Sequence, residues 1–169
     1  NAGGVHGHYR ALRSLLNWYE QEYEPANWYN PLRKVRAPRI PQRILEPVLL
    51  SDLGRMVSSD LPDSELGCRD RAIVFGLLST GCRAAEFLSL SVGDVSLETG
   101  SSQIRSGKGG KCRVVFFGSQ ALAALRTYLS YRNASDPTAP LWATRSGTRM
   151  TYAGLREVIR RLARRAAVP

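Results

Sequence analysis

The segment Thr80-Gly81-Cys82-Arg83-Ala84-Ala85-Glu86 puts an arginine and a glutamate three residues apart among neighbours that read as core. Arg83 opens a predicted short helix running to about Leu90. Its guanidinium therefore stands beside backbone N–H groups without helical partners, at the positive end of the helix dipole. A planar, forked donor at such a place suits two oxygens of one phosphate. Glu86 lies on the same face and can hold Arg83 in one rotamer; a purely structural i,i+3 ion pair is the plainer alternative. Lys108 sits in Ser106-Gly107-Lys108-Gly109-Gly110-Lys111. Glycines there let a hairpin tip bring an ammonium against a ligand. Such a lysine serves as a point charge, or as a proton donor where neighbouring cations lower its pKa. An ordinary exposed Gly-Lys turn is the alternative.

Other chemistries find no support. Cys68, Cys82 and Cys112 are odd in number and never paired as C-x-x-C, which argues against a disulfide framework or a zinc site. His6 and His8 fall in a Gly-rich N-terminal stretch expected to be an exposed tail, and they supply no triad or metallohydrolase. The charge balance points elsewhere. Lys and Arg number 24 against 14 Asp and Glu, a formal net charge of +10, and such an excess attracts polyanions, nucleic acid above all.

The elements that must position Arg83, Glu86 and Lys108 follow from periodicity. The stretch from His8 to Leu32 reads as a helix with Leu12, Leu15, Leu16, Tyr19 and Tyr23 at helical spacing, closed by Pro25. Trp18, Trp28 and Tyr29 are expected to pack around a small helical core. From Pro31 to Pro47, four prolines and Arg33, Lys34, Arg36, Arg39 and Arg43, with no acid before Glu46, predict an extended basic strap suited to a phosphate backbone. A solvated tether is the alternative. Ser51 is the expected N-cap of a helix turning Leu53, Met56 and Val57 inward. The run Arg71–Gly81 predicts a buried central helix ended by Gly81. Two short strands, Gln103–Arg105 and Cys112–Phe117, flank the glycine-rich tip as a small antiparallel hairpin. A helix capped by Ser119 follows, with Leu122, Leu125, Tyr128 and Leu129 inward. Residues 136–150 are expected to be loop. The last helix carries Leu155, Val158, Ile159, Leu162 and Ala166 on one face and Arg156, Arg160 and Arg164 on another. Contact with DNA or RNA is a minority reading of that basic row, focused near Arg149 and Thr151.

In this order, Thr80-Gly81-x-Arg83-x-x-Glu86, Asp94 and the Gly-Lys-Gly hairpin with Lys111 and Arg113 resemble the central catalytic segment of the tyrosine recombinases, the phage-integrase family. The match is strong as a set and weak part by part. The resemblance implies a mainly α fold with a small antiparallel sheet (α+β). Residues 1–36 would be the end of a helical core-binding domain, 37–47 its basic Pro-rich linker, and 48–169 the first part of the catalytic domain. It implies site-specific cutting and rejoining of duplex DNA through a 3′-phosphotyrosine, with no metal and no nucleotide cofactor. Arg83 would clamp the nonbridging oxygens, Lys108 would protonate the leaving 5′ oxygen, and Glu86 and Asp94 would support them. Arg33, Lys34, Arg36, Arg39, Arg43, Ser51, Lys111, Arg113, Arg149, Thr151 and Arg156 are the expected DNA contacts.

The family's His-x-x-Arg box and nucleophilic tyrosine come after the last helix, and no tyrosine here is carried over as the nucleophile. The chain opens on Asn1 rather than methionine, and it is expected to be a fragment that binds DNA without cleaving it. A cytoplasmic, nucleoid-associated protein is expected, because no apolar run approaches the ~20 residues that span a bilayer. Self-association on DNA is expected of the full-length protein. A non-catalytic DNA-binding module related to recombinases is the main alternative, and an RNA-binding protein a third reading.

Overall fold

Helical periodicity carries further towards the N-terminus than the glycines suggest. The computed structural model describes residues 2–41, 46–58, 61–105, 112–132 and 134–168, and its first helix, α1, runs Ala2–Tyr23. His6 and His8 thus lie on a helix, not in a tail. Glycine costs a helix only about 1 kcal/mol against alanine, which backbone pairing here outweighs. The chain divides into two compact units, Asn1–Pro47 and Val48–Pro169.

In the first unit α1 buries no residue, and Leu12, Leu15 and Trp18 are each about half exposed. The expected inward face of α1 is therefore not a core. Its aromatic residues meet one another and the chain that folds back on them. Tyr19 lies edge-on to Trp28, and Trp18 edge-on to Tyr23. Asn30 is the buried pivot of the return: its Oδ1 accepts from the Leu32 N–H and its Nδ2 donates to Asn17 Oδ1, both at 3.0 Å. A single 3₁₀ turn, Pro31–Arg33, follows, and residues 34–41 carry no helix or strand.

The second unit holds the core. Helix α2 spans Leu50–Ser58, so Ser51 lies within its first turn and is not the N-cap. The Leu49 carbonyl, accepting from Asp52 and Leu53, starts the helix two residues earlier than a serine cap would. Helix α3, Glu65–Thr80, is capped by Ser64 Oγ on the Gly67 N–H and closed by Gly81 in the left-handed conformation at φ 57°. A residue with a Cβ is disfavoured at that angle. Helix α4 spans Ala84–Ser89 and a 3₁₀ turn Val92–Asp94. Strands β1, Ser101–Ile104, and β2, Arg113–Phe116, pair antiparallel with Ile104 opposite Arg113. Val95 joins this ladder by one isolated bridge, to Ser102. Helix α5, Ser119–Arg132, packs chiefly on α3. Its first turn starts from the Gly118 carbonyl, with Ser119 already inside the helix. Helix α6, Tyr152–Arg165, is capped by Thr151, whose Oγ1 accepts from the Gly154 N–H.

Residues 136–150 contain no helix or ladder, as expected of a loop, yet Leu141, Trp142, Ala143 and Met150 are buried. Trp142 is the centre of the core. Its ring stacks on Phe87 with centroids 4.5 Å apart and on Tyr128 at 6.2 Å. Phe87 belongs to α4, so the helix that follows Arg83 sits directly on that stack.

Candidate functional site

Arg83 is the N-cap residue of α4, with extended backbone (φ −63°, ψ 145°). Three features hold it there: Gly81 turns the chain out of α3, Phe87 anchors α4 on Trp142, and Glu86 reaches back from the first turn. Glu86 Oε2 accepts from the Arg83 backbone N–H at 3.0 Å, and Oε1 accepts from Arg83 Nη1 at 3.1 Å. The same carboxylate takes a two-pronged donation from Arg113, Nη1 to Oε1 at 3.1 Å and Nη2 to Oε2 at 2.7 Å. Glu86 is buried, whereas the Arg83 side chain is 65% exposed. The arginine proposed to meet a ligand therefore faces out, and its acidic partner is sunk beneath it.

Four donated hydrogen bonds hold Glu86 ionised. The Arg113 fork is the largest cause, and its carboxyl is lowered from 4.5 to about 2. A group depressed in this way adds stability above its unfolded pKa, and that stability is lost as pH falls through the folded value. Glu86→Gln is accordingly expected to flatten the acid limb of stability between pH 4.5 and about 2. Urea midpoints taken across that range would register one proton's worth of slope lost. An unchanged limb would mean that Glu86 titrates normally.

Asp94 supports the next turn. Its Oδ2 accepts from the Ser91 N–H at 2.9 Å and its Oδ1 pairs with Arg105 at 2.9 Å. Arg149, expected at a phosphate, is committed elsewhere: Nη1 donates to the carbonyls of Leu88 and Leu90, and Nη2 to Ser91 Oγ. A cation on the last carbonyls of α4 is a C-terminal cap. Arg113, also expected on DNA, spends both prongs of its fork on Glu86. Thr151 is the cap of α6, Arg156 is exposed on that helix, and Ser51 is exposed on α2.

Among the residues of the strap, Arg33 pairs with Glu20 at 3.0 Å and Lys34 lies over the Tyr29 ring at 5.2 Å. Arg36 and Arg39 are exposed. Lys108, Lys111 and Arg43 lie outside the described residues. Among the described residues no group of His, Cys, Asp and Glu gathers as a metal site, and no helix is long and apolar enough to cross a membrane.

Sequence reading missed the network under α6. Buried Arg69 gives Nε and Nη2 to Asp70 Oδ1, at 3.1 and 2.8 Å, and Nη1 to the Ala143 carbonyl at 2.8 Å. Arg161 completes it on Asp70 Oδ2. The available signal was the charged pair Arg69-Asp70 just ahead of the apolar run Ala72 to Leu78.

A helical core with a two-stranded hairpin beside Arg83 and Glu86 is the integrase-type catalytic fold. The crystal structure of XerA recombinase matches 95% of this chain at TM-score 0.63 and 23% identity, over 54% of its own length. XerH recombinase bound to its difH substrate matches 94% at TM-score 0.65 and 20% identity, over 47% of its length. The chain belongs to the phage integrase family, whose family model matches residues 52–168. Tyrosine recombinase XerC of Pelobacter propionicus is 31% identical over 130 residues, 77% of this chain and 43% of that protein. XerC 2 of Ralstonia nicotianae is 33% identical over 128 residues, 75% of this chain and 36% of that protein. The chain thus spans less than half the length of these two curated relatives.

Proposed function

We propose that this chain is part of a site-specific tyrosine recombinase and that it grips duplex DNA at the phosphate to be cut. Residues 48–169 would supply the first part of the catalytic domain, and 1–36 and 37–47 the end of a core-binding domain and its linker. The observation that carries this reading is Arg83, an exposed guanidinium fixed from below by the buried carboxylate of Glu86.

In the reaction, a tyrosine hydroxyl attacks phosphorus and forms a 3′-phosphotyrosine. The bond to the 5′ oxygen breaks, and that oxygen leaves with a proton. Charge grows on the nonbridging oxygens as this happens, and preorganised donors stabilise it. Arg83 meets those oxygens, and Lys108 is the proton donor expected from the sequence. The exposed cations Arg36, Arg39 and Arg156 give the DNA backbone further contacts. Self-association on DNA, on the nucleoid in the cytoplasm, belongs to the whole protein.

The 169-residue chain alone is expected to bind duplex DNA with an affinity that falls steeply with salt, and to form no covalent adduct with a nicked substrate. Gel shift across a salt series, followed by denaturing electrophoresis, checks both. A covalent adduct would place a nucleophile inside the chain. Equal affinity for RNA and duplex DNA at matched salt would favour an RNA-binding protein.

A further inference from the structure

Glu86 is a single carboxylate facing two guanidinium groups, and it treats them unequally. Arg113 occupies one position on each oxygen, at 3.1 and 2.7 Å. Arg83 is left with one side-chain bond, from Nη1 to Oε1. Its Nε and Nη2 make no hydrogen bond among the described residues. Exposure differs in the same sense, 65% for the Arg83 side chain and 38% for Arg113. The cluster holds two positive charges and one negative, so a unit of positive charge stays uncompensated on the more exposed arginine.

An arginine and a carboxylate left to themselves favour the closed, two-pronged pair. In that arrangement Arg83 would offer Glu86 both nitrogens it needs for a phosphate. We propose that Arg113 is a positioning residue for the phosphate site: by taking the two-pronged seat on Glu86, it confines Arg83 to one end-on bond and leaves its remaining donors for the ligand. This rests on the reading of Arg83 as the phosphate donor. It assigns Arg113 no contact with DNA.

The test uses the full-length recombinase that carries this segment, with Arg113→Met, Arg113→Lys and the double variant Arg113→Met/Glu86→Gln. In Arg113→Met, Glu86 closes on Arg83, and cleavage of a nicked site falls on the order of 10²-fold, the usual cost of a misplaced catalytic group. Affinity for the site and its salt slope stay as in the wild type. Adding Glu86→Gln weakens the capture and returns at least about tenfold of the rate. A purely structural role gives no such rescue. If the double variant is no faster than the single, or if Arg113→Met lowers the salt slope by about one, Arg113 is a scaffold residue or a DNA contact and the proposal fails.

A readout without DNA separates this from the function itself. The Arg83 Nε–H resonance of the free protein is expected to move downfield in Arg113→Met, as Glu86 takes it up. The same shift, smaller, is expected in Arg113→Lys, which keeps the charge without the fork and serves where the methionine variant does not fold. An unmoved resonance overturns the positioning role even if Arg83 proves essential. Full cleavage by Arg83→Ala overturns the phosphate reading alone.

Discussion

On the function proposed above, replacing Arg83 by alanine is expected to abolish strand cleavage by the full-length protein while leaving its hold on the DNA site within a few-fold. The two effects separate because they draw on different states. Site affinity is the sum of many phosphate contacts, and losing one lowers the salt slope by about one. On the proposed reading, the Arg83 donors matter most when charge develops on the nonbridging oxygens. Removal of one preorganised donor from such a site costs about 10²–10³ in rate, and an arginine at a transferring phosphoryl group about 10³–10⁵. Arg83→Lys is expected to recover little, since a lysine keeps the charge but not the fork. Glu86→Gln is expected to be milder than either, because an amide oxygen still accepts from Arg83 and Arg113. Covalent adduct formation on a nicked substrate, read beside a gel shift, measures rate and affinity separately. Near-normal cleavage by Arg83→Ala would remove the basis for the function proposed above.

Which parts of this site could be read from the sequence depends on whether the signal was local. Thr80-Gly81-x-Arg83-x-x-Glu86 encodes a helix stop, a cap and an i,i+3 pair within seven residues, and the structure contains all three. The two strands were legible from their β-branched residues, β2 within one residue at each end and β1 beginning two residues earlier than expected. The inward faces of α5 and α6 were legible from period alone: Leu125, Tyr128, Leu155, Val158 and Leu162 are buried.

What failed was long-range. Arg113 and Glu86 are 27 positions apart, and Arg149 caps carbonyls 59 and 61 positions away. Nothing near either arginine in the chain says that its charge is spent on the protein. Both consequently looked like surface cations in a basic chain. The loop carrying Trp142 misled for a related reason. Turn residues such as Asp136, Pro137 and Gly147 mark an irregular backbone but do not tell which of its side chains enter the core. In α1 the period was right and the inference from it was not, since an apolar stripe becomes a core only against a second layer.

Asp70→Ala is expected to cost about 3–5 kcal/mol of stability, the range for removing one partner from a buried ion pair. The reason lies in what stays behind. Arg69 is 6% exposed and keeps only the Ala143 carbonyl as partner for a charge that cannot reach water. Asp70→Asn is expected to lose less, because an amide oxygen can still accept from Arg69. Arg161→Met is expected to lose least, about 1 kcal/mol or under, since its side chain is 44% exposed and solvent screens it. Urea denaturation ranks the three, and an unchanged m-value would assign the differences to the folded state. Against a total of about 5–15 kcal/mol for a typical domain, the alanine variant is close to unfolding. The loss would not stay under α6. The Asp70 network holds Ala143, whose neighbour Trp142 is the platform for Phe87, and Phe87 anchors the helix that opens at Arg83. On the proposed function, a variant such as Asp70→Asn, folded but loosened, is expected to cleave more slowly than its site affinity suggests, although Asp70 lies outside the proposed phosphate site. Equal urea midpoints for Asp70→Ala and wild type would mean that the network is an incidental pairing, and that α4 takes its position from hydrophobic packing alone.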